Sequence, residues 1–120
     1  MMQDNKMHAE EEDNLKIKES LSSNKNFETV SSIFQQLSDP TRARIFWLLC
    51  HYEECVMDIS KILDMSSPAV SHHLRPLKAS GLIESRRDGK EVYYRAADTL
   101  ECKLLHEAIE EVMKIACPND

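Results

Sequence analysis

Residues 58–97, DISKILDMSSPAVSHHLRPLKASGLIESRRDGKEVYYRAA, admit few architectures. Val56, Ile59, Ile62 and Leu63 mark a short helix by their spacing. Met65-Ser66-Ser67-Pro68 stops that helix and starts another, with Ser67 predicted as N-cap and Pro68 at the first helical position. Val70, Leu74 and Leu77 supply the buried stripe of the second helix, and Gly81 suits the residue just past its end. Pro76 lies inside this helix and removes a backbone hydrogen bond, so a bent or early-fraying end is expected. Leu82–Arg87 and Glu91–Arg95 flank Asp88-Gly89, a strong hairpin signal. Helix, tight turn, helix and hairpin in this order predict a winged helix-turn-helix, mainly α with a two-stranded β wing.

The flanks complete one domain, and 120 residues suffice for a single core. Residues 1–25 are polar and run through EEED, which predicts a flexible, mostly disordered arm with a helical turn near Leu15–Leu21. The domain proper is expected over residues 26–117. Phe27, Val30, Phe34 and Leu37 recur at helical spacing. Asp39 suits an N-cap and Pro40 the first position of the helix RARIFWLLCH, apolar on most faces and so expected at the centre of the core. Asp98-Thr99-Leu100-Glu101 reads as a capping box, with Asp98 as N-cap. The last helix carries Leu100, Leu104, Ile109, Val112 and Met113 as an apolar stripe, a natural dimer surface.

A net charge of −6 looks wrong for a partner of nucleic acid until it is divided along the chain. Residues 1–37 carry four basic and seven acidic side chains, and residues 98–120 carry two and six. Residues 66–97 carry six basic and three acidic, a local balance of +3. A locally basic reader on an acidic body is compatible with DNA and discourages indiscriminate binding. Ser66, Ser67, Ser71, His72, His73, Arg75 and Lys78 are the expected exposed groups of the second helix. The serines suit phosphates, while Ser71, His72 and His73 suit base edges. Arg86, Arg87 and Lys90 at the hairpin tip suit backbone or minor-groove contact.

In order along the chain, LSDPTRARIFWLL, ECVMDISKIL, SSPAVSHHLRPLKASGLI and RRDGKEVYYRAAD resemble the ArsR/SmtB family of small winged-helix repressors. The resemblance covers roughly residues 27–117. It implies a homodimer with the order α-α-α-α-β-β-α, joined through the terminal helices. It also implies repression at an imperfect inverted repeat in double-stranded operator DNA, relieved by a metal or other inducer. Two-fold symmetry then sets half-sites about one helical turn apart.

The resemblance also points to sensing sites, residue by residue. Glu54-Cys55-Val56-Met57-Asp58 resembles the family pattern E-x-C-V-C-D, with methionine at the second cysteine. Cys55 and Asp58, three residues apart at a helix start, can face one ion, and His8 in the arm is the imidazole candidate to complete the set. The family's terminal-helix zinc pattern meets Asp98 but then Leu100, Glu111 and Lys114, so that site is not expected here. Cys102, His106 and Glu110, spaced i, i+4, i+8, are expected on one face instead. If the terminal helices pair antiparallel, Cys102 would lie opposite Glu110 of the partner subunit, an alternative metal site to which Cys117 could add a thiolate. The ions considered are zinc, cadmium, lead and arsenite, thiolates favouring the softer ones.

Four cysteines, Cys50, Cys55, Cys102 and Cys117, read as thiols or ligands of a cytoplasmic protein, since no membrane-length apolar run or signal-peptide pattern accompanies them. They also leave open a repressor of the same fold released by thiol oxidation. A winged-helix protein-interaction module without DNA binding is the alternative from another class. An enzyme is not expected, because no nucleophile–base pair or glycine-rich phosphate loop appears among residues that include only two glycines.

Overall fold

The computed structural model describes residues 10–23 and 26–116, which fall into two compact units, Met1–Ser31 and Ser32–Asp120. In the first unit, α1 spans Glu11–Ser23. The helical turn expected near Leu15–Leu21 is thus part of a longer helix of 13 residues. Glu11, Glu12 and Asp13 occupy the first turn, where carboxylates complement the helix dipole. Lys16, Lys18 and Glu19 lose little rotamer freedom in a helix. Helix α2, Asn26–Gln36, runs across the boundary between the units.

The second unit is built on α3, Pro40–His51. Asp39 caps it as predicted, its Oδ2 accepting from the Arg42 backbone N–H at 2.8 Å, with Pro40 in the first turn. Ile45, Phe46, Leu48 and Leu49 on this helix are buried. Around them close Ile59 of α4 (Val56–Leu63), Val70, Leu74 and Leu77 of α5 (Ser67–Ala79), and Cys102 of α6 (Leu100–Ala116). Strands β2 (Ile83–Asp88) and β3 (Glu91–Ala96) form the wing, with Ile83 facing the core. A two-residue strand, β1 (Glu54–Cys55), pairs antiparallel with β3 and extends the wing to the order β1-β3-β2. Sequence patterning did not mark β1, which is too short to show an alternation.

Local chemistry moves several predicted caps by one residue. Ser66, not Ser67, caps α5: its Oγ accepts from the Ala69 N–H at 3.2 Å. Thr99, not Asp98, takes the equivalent position before α6, accepting from the Cys102 N–H at 3.2 Å. Asp98 instead pairs with Lys103 at 3.5 Å in solvent. The hairpin loop is Gly89-Lys90, because Asp88 and Glu91 are already paired across the strands. Gly89 at φ +65 therefore occupies the first central position, where a II′ turn asks for glycine.

Between α4 and α5 the chain reverses at Asp64, held left-handed at φ 54, ψ 51. The Met65 N–H donates to the Ser60 carbonyl at 3.0 Å, and the Ser60 hydroxyl donates to the Met65 carbonyl. At its other end α5 runs through Pro76 to Ala79, without the expected early fraying. Backbone bonds from Gly81 to Lys78 at 3.1 Å and from Leu82 to Leu77 at 3.0 Å close the helix in a Schellman motif. Leu77 and Leu82, both buried, make its accompanying apolar contact.

Gly81 sits at φ +78 with nothing within 4 Å of where a Cβ would stand, so alanine there meets backbone strain and no steric clash. Gly81→Ala is expected to lower stability by about 1–2 kcal/mol, the cost of holding a side chain left-handed. A urea midpoint that falls with an unchanged denaturant slope checks this, and an unmoved midpoint contradicts it.

Candidate nucleic-acid interface and metal-ligating groups

Helix α5 reaches the surface because only its Val70, Leu74 and Leu77 stripe is needed by the core. The opposite side exposes Ser66, Ser67, His72, Arg75 and Lys78, while Ser71 is half-buried. Lys78 Nζ donates to Ser85 Oγ on β2 at 2.8 Å, tethering the end of the helix to the wing. Arg87 and Lys90 stand exposed at the wing tip. Arg86 is engaged otherwise than expected. Its Nε and Nη2 donate to the Glu53 carboxylate at 2.9 and 2.7 Å, and its guanidinium lies 5.0 Å from the Tyr93 ring centroid. That bond holds the Glu53 carboxyl below its ordinary range. Being half-exposed, the pair contributes little to stability, but it positions the root of the wing.

His73 turns away from the exposed face on which the sequence placed it. Its side chain is 16% exposed and its Nδ1 stands 3.7 Å from Asp39 Oδ2, too far for a hydrogen bond. Nδ1 is buried without a partner, as is Arg42 Nε nearby in the chain. Burial lowers the His73 pKa, the Asp39 carboxylate opposes that shift, and Arg42 and His72 add to it. The ring is therefore a neutral link between the start of α3 and the middle of α5.

The first predicted metal pair does meet. Cys55 Sγ donates to Asp58 Oδ2 at 3.4 Å, at the junction of β1 and α4, where Cys55 is buried. His8, named to complete the set, lies outside the described residues. The alternative group is rearranged. Cys102 is 3% exposed and its Sγ donates to the Leu82 carbonyl at 3.3 Å, so it does not share a face with His106 and Glu110. Each four-residue step along an α-helix turns the face by about 40°. Across eight residues that drift carries Cys102 into the core and leaves Glu110 over α3. Cys117 lies outside the described residues.

His106 and Glu110 meet a residue of α3 instead. His106 Nε2 lies 3.0 Å from His51 Nε2, and Trp47 Nε1 donates to Glu110 Oε2 at 2.8 Å. One potential ligand atom from each of His51, His106 and Glu110 lies within 4.8 Å of the others. The Trp47 bond and the two imidazoles lower the Glu110 pKa. No local pattern in the sequence links His51 to His106, because 55 residues separate them. Nearby, burial pushes the Cys50 thiol up to about 12, so it is protonated at neutral pH and a poor nucleophile. No helix among the described residues is long and apolar enough to cross a membrane.

The chain matches the family model described as bacterial regulatory protein, arsR family, over residues 39–85. It is 49% identical over 72 residues to the cadmium resistance transcriptional regulatory protein CadC of Listeria innocua. That match spans 58% of this chain and 60% of the relative. It is 40% identical over 80 residues to the arsenical resistance operon repressor of Escherichia coli, covering 63% of this chain and 68% of that one. Among solved structures, the homodimeric winged helix-turn-helix DNA-binding domain of Mb0332 from Mycobacterium bovis superposes with a TM-score of 0.67 at 30% identity. The superposition covers 73% of this chain and 81% of that domain.

The neutral His73 makes stability pH-dependent. Its folded pKa is lowered, so as pH falls through the ordinary imidazole value of 6.5 the unfolded chain binds a proton that the folded chain resists, and stability is lost. His73→Gln is expected to flatten stability between about pH 8 and pH 5 relative to the parent, a range in which carboxylates contribute little. Urea unfolding across that range checks it, and equal slopes for both proteins contradict it.

Proposed function

This chain belongs to the arsR family of bacterial regulatory proteins, and from that we propose that it is a homodimeric repressor binding inverted-repeat operator DNA. The observation that carries the reading is the placing of cations: Arg75 and Lys78 on the outer side of α5, Arg87 and Lys90 at the wing tip. These are separate segments of sequence that the fold presents outward, while the acidic excess lies in the two ends of the chain. A helix in the major groove with a basic hairpin beside it is the docking such a surface suits. His72 and Ser67 are also exposed on α5 and are the groups proposed to meet base edges or phosphates. Ser66, which caps α5, and Arg86, which is bonded to Glu53, act by holding this surface in shape.

Dimerisation is supported by α6, whose Leu100, Leu104, Val112 and Met113 are 48–67% exposed while Leu105 and Ile109 pack on the core. An apolar stripe of this kind is what a two-fold partner would cover. That the Mb0332 domain is homodimeric supports a two-subunit assembly here.

The inducer is proposed to be a metal or metalloid ion, and for soft ions the site is Cys55 with Asp58. A sulfur and a carboxylate already 3.4 Å apart supply two donors at a helix start once an ion displaces the thiol proton, which a soft thiophilic cation such as cadmium or lead would favour. The relatives named for cadmium and arsenical resistance support an ion of that class. Release of DNA by thiol oxidation is the weaker reading, because Cys50 is held protonated and Cys102 is buried against Leu82.

Fluorescence anisotropy of the reduced protein on DNA from its own promoter tests both halves. Arg87→Ala and Lys90→Ala are each expected to weaken binding and to lower the salt slope by about 1. Affinity that ignores salt would instead mark an interaction module. Cadmium or lead is expected to release the DNA, and Cys55→Ser to abolish that release without weakening DNA binding. Unchanged release in that variant would remove Cys55 as the sensor.

A further inference from the structure

We propose that His51, His106 and Glu110 form a second cation site within a single protomer, built for a borderline divalent ion of the zinc class. Its donors are two imidazole nitrogens and a carboxylate, with no thiolate among them. That set suits zinc, cobalt or nickel and offers nothing to arsenite, whose chemistry calls for sulfur. It differs in kind from the Cys55–Asp58 pair, and it joins α3 to α6 where that pair joins β1 to α4.

The geometry is close to what zinc requires. Two Nε2 ligands of one tetrahedral zinc stand about 3.3 Å apart at Zn–N distances of about 2.0–2.1 Å. The two Nε2 atoms here are 3.0 Å apart, so the rings need to open by only a few tenths of an ångström. Without an ion, one Nε2–H must donate to the other Nε2. When an ion enters, both Nε2 atoms become donors of lone pairs and the displaced proton moves to Nδ1 of its own ring. No proton need leave the protein.

The surroundings resemble those of a built site. Trp47 Nε1–H donates to Glu110 Oε2 and orients the carboxylate, the role that outer hydrogen bonds play around metal ligands. Trp47 also packs its ring 4.4 Å from that of His51, and the His51 and His106 rings meet edge to face at 4.7 Å. A cavity of about 350 Å³ opens on the two imidazoles and reaches Cys50, Cys102 and Lys103. It gives an ion a way in and leaves room for water as a fourth ligand, the open coordination found where zinc has three protein ligands.

The consequence is regulatory. His51 ends the helix whose start, at Asp39, abuts His73 of α5, and α6 carries the exposed dimer stripe. An ion fixing α6 against α3 therefore fixes the proposed dimer surface against the helix that reads DNA. An ion favouring one setting shifts the spacing of the two readers, and DNA must shift ion affinity by the same factor. This coupling rests on the repressor reading above, whereas ion binding itself does not.

The test begins on the free, reduced, full-length protein with cobalt(II) and then zinc. Cobalt is expected to bind with visible ligand-field bands and without a sulfur-to-cobalt charge-transfer band, and Cys55→Ser is expected to leave that spectrum unchanged. His51→Gln and His106→Gln are each expected to weaken zinc at least about tenfold against a competing chelator. Histidine-ring NMR of the parent protein provides the same answer without a variant: zinc should shift the His51 and His106 rings together. Zinc that leaves those two rings unmoved overturns the site. Anisotropy on promoter DNA with and without zinc then tests the coupling. Zinc bound at these rings with DNA affinity unchanged would overturn the regulatory step and leave the site standing, while absent DNA binding would count against the repressor reading alone.

Discussion

The outward faces of this protein all depend on one central helix. Ile45 and Phe46 of α3 have no exposed area, and each large side chain buried to this degree contributes about 1.5–3 kcal/mol. Because α3 is apolar on most faces, it accepts neighbours on several sides at once: α5 on one, β3 on another, α6 on a third. Those neighbours need only one stripe each for the core. Their remaining faces are left for other work: the proposed nucleic-acid contact for α5 and the wing, the proposed second copy of the chain for α6. A helix that is apolar on several faces thus frees three others to be amphipathic.

Polar links then set the angles that burial leaves loose, since apolar packing is not directional. Asp39 caps α3 while lying beside His73, Arg86 ties the wing root to Glu53, and Lys78 ties α5 to the wing through Ser85. His73 and Arg86, which composition would assign to DNA, face the protein instead of the solvent side of the reader. The Arg86 charge is spent on the protein itself, and the His73 ring is turned inward with its Nδ1 buried and unpartnered. The reader is consequently less basic than the count for residues 66–97 suggests, and its outward cations sit at Arg75, Lys78, Arg87 and Lys90.

How much the chain announces depends on distance along it. Helix spacing, the Asp39-Pro40 start and the Gly81 end are local, and the structure places them as the sequence predicts. Caps near two adjacent candidates come out one residue off, as with Ser66 for Ser67 and Thr99 for Asp98, because the side chain that reaches the free N–H depends on where the first helical turn closes. Strand β1 is invisible because two residues carry no period, and only pairing with β3 defines it. The family resemblance covers the reader and the dimer helix well. It does not locate a site made by His51 and His106, which no local pattern connects.

The drift of the helix explains why the last of these had to be missed and why it matters. Counting by fours along α6 links Cys102, His106 and Glu110 on paper, yet the accumulated rotation sends the sulfur to Leu82 and the carboxylate to Trp47. Only the middle residue keeps the direction the count implies. The donor set that results has exchanged a thiolate from α6 for an imidazole from α3, and with it a soft site between two subunits for a harder one inside each. A cation between subunits acts by tightening the dimer, whereas one inside a protomer acts by setting how that protomer presents its dimer helix. The second route can alter the distance between two DNA readers without strengthening or weakening the contact that joins them. For a two-fold reader whose half-sites lie about one helical turn apart, distance is the quantity on which affinity depends.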